Sequence, residues 1–350
     1  MFAQHGSEKP VLLEERDERI TALPILVLCA HNRCNCRCVM CDIWKREEDF
    51  GVTAVDLERH RESLRRLSVE WVVLSGGEPL MNRDLHALCT FFRELDVRLT
   101  LLTTGLLLEK RAAQVASLFD DVIVSIDGPQ SVHDGIRRVK GGFDLIQSGV
   151  AAVRALRPEM KITARTTVQK LNHASLRETV RGVNELGLGG ISFLAADVTS
   201  EAFNRPLLWP GERQSEVALS NAEVRTLEDE VEKLIAEFSA EIRSGYIAES
   251  PAKLRRIVES FKAHLGQGTP ESPRCNAPWV SAVIEADGSL RPCFFHRVVG
   301  NIGNATLEEV VNSDMARSFR RDLNVETNPV CQRCVCSLYR PDPSHSKRGN

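Results

Sequence analysis

Four of the chain's eleven cysteines, Cys34, Cys36, Cys38 and Cys41, stand within the stretch "RCNCRCVMC", and five more, Cys275, Cys293, Cys331, Cys334 and Cys336, fall near the other end. Thiols clustered in this way point to metal rather than to disulfides in a reducing compartment. A structural zinc takes two short-spaced ligand pairs from separate segments; Cys38 and Cys41 could supply one, but four thiolates bunched together make an awkward tetrahedral cage. A C-x3-C-x2-C loop suits an iron–sulfur cluster better. Cys34, Cys38 and Cys41 would each bind one iron, leaving a fourth iron open for chemistry and Cys36 spare.

Such loops need a frame to hold them. Apolar, β-rich runs recur at 25–30, 71–75, 97–104, 122–126, 161–168 and 191–195, separated by helical periodicities, which is the alternation of a parallel sheet. Thr53 and Asp56 form a capping signal ahead of Leu57, Leu64 and Leu67; Ser175 and Glu178 form another ahead of Val180, Val183 and Leu186. By pattern alone, six βα repeats fit either a partly closed barrel or an open sheet.

After Asp197 the alternation ends. Ser220 and Glu223 cap a helix carrying Val224, Leu227, Val231 and Leu234, and a second starts at Ser250-Pro251; together they read as a bridge. Beyond it the chain becomes turn-rich and cysteine-rich, with a hairpin expected about Asp287-Gly288. The expected divisions are an N-terminal extension at 1–22, a barrel at 23–215, the bridge at 216–270, a cysteine-rich domain at 271–340 and a tail at 341–350.

The 350 residues are 43% apolar and 27% charged, and 45 Lys plus Arg against 48 Asp plus Glu leave a formal charge of -3. No long block of one sign offers a surface for nucleic acid or an anionic membrane, so neither is an expected partner. No apolar run approaches the ~18 residues of a membrane span, and the first residues lack the features of a secretory signal. A cytoplasmic protein is expected.

The CxxxCxxC loop after the first strand, "LSGGEPL" ending the second and "VSIDGP" ending the fourth together resemble the radical S-adenosylmethionine (radical SAM) superfamily. The resemblance implies an α/β fold, a partial (β/α)6 TIM-like barrel, with a 4Fe-4S cluster on Cys34, Cys38 and Cys41 that binds S-adenosyl-L-methionine at its open iron. It also implies a one-electron donor such as flavodoxin or ferredoxin, reductive cleavage of the sulfonium, and a 5′-deoxyadenosyl radical that abstracts hydrogen from substrate. In that picture Gly76 and Gly77, followed by Glu78 and Pro79, let main chain approach the methionine end of the cofactor, and Glu78 accepts from its ammonium. Ser125 falls near the cofactor carboxylate. Arg165 either pairs with that carboxylate or faces solvent, and Asp127-Gly128 reads equally as a turn. Thr103-Thr104-Gly105 stands where relatives have Thr-Asn-Gly, so only Gly105 is carried over. Met40 replaces an aromatic residue beside the adenine and can pack there through its polarizable sulfur.

Cys275, Cys293, Cys331 and Cys334, with Gly288 between the first two, resemble the auxiliary-cluster domain of the SPASM and twitch subfamilies, here shortened to one auxiliary 4Fe-4S cluster. A zinc ribbon is the rival. Cys336, the candidate catalytic thiol, could donate hydrogen, replace Cys334 as a ligand, or be spare. Cys29 and Cys89 read as small core residues, and His31, His133 and His296 have no partner visible in the sequence. Relatives with auxiliary clusters modify peptides, mature sulfatases, or oxidise and epimerise sugars. The short stretch before the first strand leaves no room for a separate peptide-recognition domain, which favours oxidation or epimerisation of a small natural product over a peptide or protein substrate. A non-enzymatic zinc-binding or redox-binding protein is the alternative from another class.

Overall fold

The computed structural model describes residues 18–203, 208–270 and 272–341. Most of the expected N-terminal extension (1–17), residue 271 at the start of the cysteine-rich domain, and the tail from 342 lie outside the described residues.

Each apolar run forms a strand: β1 (Ile25–His31), β2 (Trp71–Gly76), β3 (Arg98–Thr103), β4 (Asp121–Ser125), β5 (Lys161–Val168) and β6 (Ile191–Ala195). They pair in chain order and all in parallel, so their C-terminal ends share one rim, where ligands of such barrels bind. One face of the sheet is fully buried, at Leu26, Leu28, Val72, Leu74, Leu99 and Leu101, while Val27, Val73 and Leu102 on the opposite face are only partly buried.

Among the described residues the barrel stays open between β6 and β1. At the β6 side, Ile247 bridges Ile191 in parallel and the helix Pro251–His264 packs against the strand. At the β1 side the cysteine-rich domain contributes the next strand. β7 (Ser281–Ile284) runs parallel to β1, pairing Ile25 with Ser281 through Leu28 with Ile284; β8 (Ser289–Arg291) and β9 (Gly300–Asn301) follow antiparallel. The turn joining β7 to β8 holds Gly288 at φ +80°, where a side chain would be strained. One apolar core runs through both parts, from Leu23 and Leu26 to Val310 and Ala316.

The capping expectations divide. Thr53 with Asp56 and Ser220 with Glu223 form reciprocal capping boxes, and Ser250 accepts from Lys253 N. Ser175 occupies the N-cap position without capping; its backbone, at ψ 27°, is not in the extended conformation of the working caps, and its hydroxyl donates to Asn172 O at 3.2 Å. Leu57, Leu64 and Leu67 are buried as expected, but on two short helices, Ala54–Glu58 and Arg61–Arg66, broken at His60, whose Nδ1 accepts from Leu307 N of the cysteine-rich domain. Among the described residues no helix is long and apolar enough to cross a membrane.

Candidate active site

The cysteine loop leaves β1 and is fastened by main chain on two sides. Gly77 N donates to His31 O at 2.7 Å and Glu78 N to Arg33 O at 2.8 Å. Farther along, Arg37 N and Val39 N donate to the carbonyls of Arg137 and Ile136, at the C-terminal end of the helix Gln130–Arg137. The glycines are required by this approach: a Cβ on Gly76 would lie 2.5 Å from His31 O, and one on Gly77 2.1 Å from Arg33 O. Their closest fit is therefore to the cysteine loop itself, although both also line the cavity described below.

Glu78, expected to face the cofactor ammonium, is fully buried behind the glycines. Its two oxygens accept from Leu80 N, from the Thr103 hydroxyl, and from both the amide and hydroxyl of Thr104, at 2.7–3.0 Å. Burial pushes its carboxyl above the ordinary value, against the pull of those donors. Thr104 Oγ1 also reaches Asn35 of the cysteine loop at 2.9 Å, a contact that the missing family Asn had hidden. Pro79 is buried and opens a single 3-10 turn.

Asp127 is no mere turn residue. Fully buried, it accepts from Thr167 N at 2.9 Å and pairs with Arg137 at 2.6 Å. Arg137 Nη1 lies 3.6 Å from Cys38 Sγ. His133 finds its partner here: its Nδ1 accepts from Asp127 N at 3.2 Å, and burial lowers it to about 3, so the ring is neutral. The Cys38 thiol is lowered to about 6, first by the Cys36 thiol hydrogen-bonded to it and then, against burial, by Arg137. Cys36, almost fully buried between Cys34 and Cys38, is raised by those same contacts and by burial.

A cavity of about 380 Å3 opens at the rim, with Cys34, Cys36, Cys38 and Cys41 on one wall. Ser125 and Arg165, register partners on β4 and β5, line another part of it. Arg165 faces inward, its Nε donating to Ser192 Oγ at 3.2 Å. Cys29 also lines the cavity, beside Glu285, so its β1 position is cavity-facing rather than simple core; Cys89 is fully buried in the core. Phe203 and Phe294, stacked at 5.8 Å, add an aromatic wall. The segment after β6 clasps the loop from outside: Trp209 Nε1 donates to Asp42 at 2.8 Å, and Arg213 to Val39 O.

The second cysteine group gathers from three segments. Asn276 N donates to Leu338 O at 2.9 Å and Arg340 N to the Asn276 side chain at 3.0 Å, drawing Cys275 toward the 331–336 turn. Cys293, Cys331 and Cys334 each feel the charge of Cys275. Burial pushes Cys293 up to about 11 and Cys331 to about 12, and raises Cys334 further. His296 Nε2 sits 3.4 Å from Cys331 Sγ. Cys336 lies in electrostatic reach of Cys275, Cys293 and Cys334 and is likewise raised by burial, while its accessible surface opens on the cavity shared with Cys34 and Arg165.

The donors fit the implied clusters. Three thiols of one loop face a common cavity over two glycines at which a Cβ would press into the loop's main chain, and the buried Arg137 Nε has no acceptor among the described residues, a donor set suited to an anionic sulfur cluster. Sequence reasoning missed Arg137, although it lies in the expected helix region, because only the contact to Cys38 reveals it.

An α/β partial barrel with a three-cysteine loop at its C-terminal rim and a cysteine-rich domain continuing its sheet defines the class. The profile of the Radical SAM superfamily matches residues 29–183, and that of the SPASM iron-sulfur cluster-binding domain matches 275–335. The chain belongs to the radical SAM superfamily and carries a SPASM domain. It is 32% identical over 177 residues to the pre-heme d1 synthase of Dinoroseobacter shibae, covering 49% of this chain and 43% of that one, so the chain's match spans less than half of that relative. To the AdoMet-dependent heme synthase of Methanosarcina barkeri it is 29% identical over 336 residues, 87% of this chain and 89% of that one. The fold is shared with Streptococcus suis SuiB bound to its precursor peptide SuiA, with a TM-score of 0.62, 16% identity, and coverage of 93% of this chain and 74% of that one.

Proposed function

We propose that the protein is a radical SAM enzyme that reductively cleaves S-adenosyl-L-methionine and abstracts hydrogen from a small natural-product substrate, oxidising or epimerising it. The observation that carries this reading is the single cavity shared by Cys34, Cys38, Cys41, Ser125, Arg165 and Cys336. When bound, a reduced 4Fe-4S cluster supplies the electron that breaks the cofactor's sulfonium bond. The three cysteines would hold that cluster, and main chain at Gly76 and Gly77 forms the floor of the cysteine loop. Glu78 stiffens that floor from behind, and Pro79 directs the chain away. Ser125 and Arg165 orient the cofactor carboxylate, the guanidinium as its counter-charge. Cys275, Cys293, Cys331 and Cys334 hold one auxiliary 4Fe-4S cluster.

Cys336 is a cavity thiol able to return hydrogen to a substrate radical, rather than a ligand. The similarity to a pre-heme d1 synthase and an AdoMet-dependent heme synthase supports a small substrate. A peptide is the second reading, since SuiB, which shares the fold, was solved with its precursor peptide.

The test is anaerobic reconstitution followed by addition of dithionite and S-adenosyl-L-methionine. About seven to eight irons per chain with little zinc, and release of 5′-deoxyadenosine, are expected; a fully loaded protein that forms none overturns the reading. Cys336→Ala should keep both its iron and its 5′-deoxyadenosine release. Loss of about four irons would make Cys336 a ligand instead.

A further inference from the structure

We propose that Arg137, paired with Asp127, sets the reduction potential of the cluster held by Cys34, Cys38 and Cys41; this rests on the cluster reading above. Main chain alone positions the cysteine loop against this helix, since the carbonyls of Ile136 and Arg137 take the amides of Val39 and Arg37. The Arg137 side chain is not needed for that attachment. It turns inward instead, only 8% exposed, and carries a guanidinium to 3.6 Å from Cys38 Sγ.

Burying such a pair is costly, and an apolar pair of similar volume would usually hold a core as well or better. The charges are nonetheless kept, and they are arranged with direction. Asp127 is anchored at three points: by Thr167 N on Oδ1, by His133 Nδ1 on its amide, and by Asn172 Nδ2 on its carbonyl at 2.8 Å. Arg137 is the mobile-charge end brought between this fixed carboxylate and the sulfur. The pair therefore presents its positive end to the cluster cysteine and its negative end to the barrel.

One-electron reduction adds negative charge to the cluster and its cysteine sulfurs. A cation and N–H donors at hydrogen-bond distance from one of those sulfurs stabilise the reduced form, and do so more strongly where water is excluded. Arg137 raises the potential, and Asp127 moderates the rise. The two residues thus act on the same quantity with opposite sign, which a merely structural pair would not do.

The experiment is a potentiometric titration of the reduced-cluster EPR signal in the reconstituted full chain, assigning to the first cluster the signal that changes on adding S-adenosyl-L-methionine. At a fixed potential Arg137→Gln should lower the ratio of reduced to oxidised cluster by about tenfold, or ~59 mV for a one-electron couple. Asp127→Asn, which keeps an acceptor for Thr167 N, should raise the ratio, and Arg137→Lys should stay near the parent. Variants with parental iron content whose ratios are unchanged, or move in the same direction, overturn the proposal. If Arg137→Gln fails to hold iron, Asp127→Asn and Arg137→Lys decide it by the same signs. A parent chain that takes up iron but gives no cofactor-responsive signal refutes the cluster reading itself, a failure distinct from unmoved potentials.

Discussion

The first cysteine loop draws all its ligands from one short segment and borrows its rigidity from elsewhere, whereas the second group draws four cysteines from three segments that must first be brought together by the fold. The contrast extends to charge. Cys38 is lowered, first by its hydrogen bond with Cys36 and then by Arg137, while Cys36 beside it is raised; Cys293, Cys331 and Cys334 have burial as their leading influence, and all are raised. On the proposed ligand sets, the first arrangement would leave one coordination position for chemistry, and the second would close its cluster with four cysteines.

The sharpest way to break this comparison is within the first loop. Cys38→Ala should abolish both the cofactor-responsive EPR signal and 5′-deoxyadenosine release, to background, while Cys36→Ala should retain both. Equal loss in the two variants would mean that all four thiols act together. Next in size, Cys293→Ala should remove about four irons per chain and suppress substrate turnover while 5′-deoxyadenosine still forms; measuring iron alongside the nucleoside separates the two sites. The smallest effect compares a glycine from each region. Gly77→Ala places a Cβ 2.1 Å from Arg33 O and should cost roughly 1–3 kcal/mol in urea unfolding. Gly288→Ala meets side chains only, Asn301 at 3.0 Å and Ile302 at 3.5 Å, besides its φ of +80°, and should cost about 1 kcal/mol. The reverse order would show that the hairpin, not the loop cradle, is the more constrained.

The six strands were legible because their signals are local, whereas their closing into a partial barrel rather than an open sheet was implied by the family motifs alone. Alternating runs and capping pairs sit within a few residues of one another, and all six strands appear at or within one residue of their expected bounds. The hairpin about Gly288 was legible for the same reason. The misses are matters of register and distance. Apolar residues line both the core face and the cavity face of these strands, so apolar pattern cannot tell one from the other, hence Cys29. Arg137 and Cys38 are 99 residues apart in sequence, and a charged residue ending a helix looks like a solvated one until its neighbours are known. The motif directs Glu78 toward the cofactor, but three of its four protein donors, on Thr103 and Thr104, depend on where the end of β3 lands.

The pairing of β7 with β1 bears on how the chain can be cut. A domain joined only by a linker could be removed, but here the cysteine-rich domain supplies the hydrogen-bonded neighbour of the first barrel strand, from Ile25 opposite Ser281 to Leu28 opposite Ile284. Deleting it would leave β1, with its run of isoleucine, leucine and valine, as a bare edge open to pairing with other chains. The two parts share one core and one sheet, and they stand or aggregate as a unit.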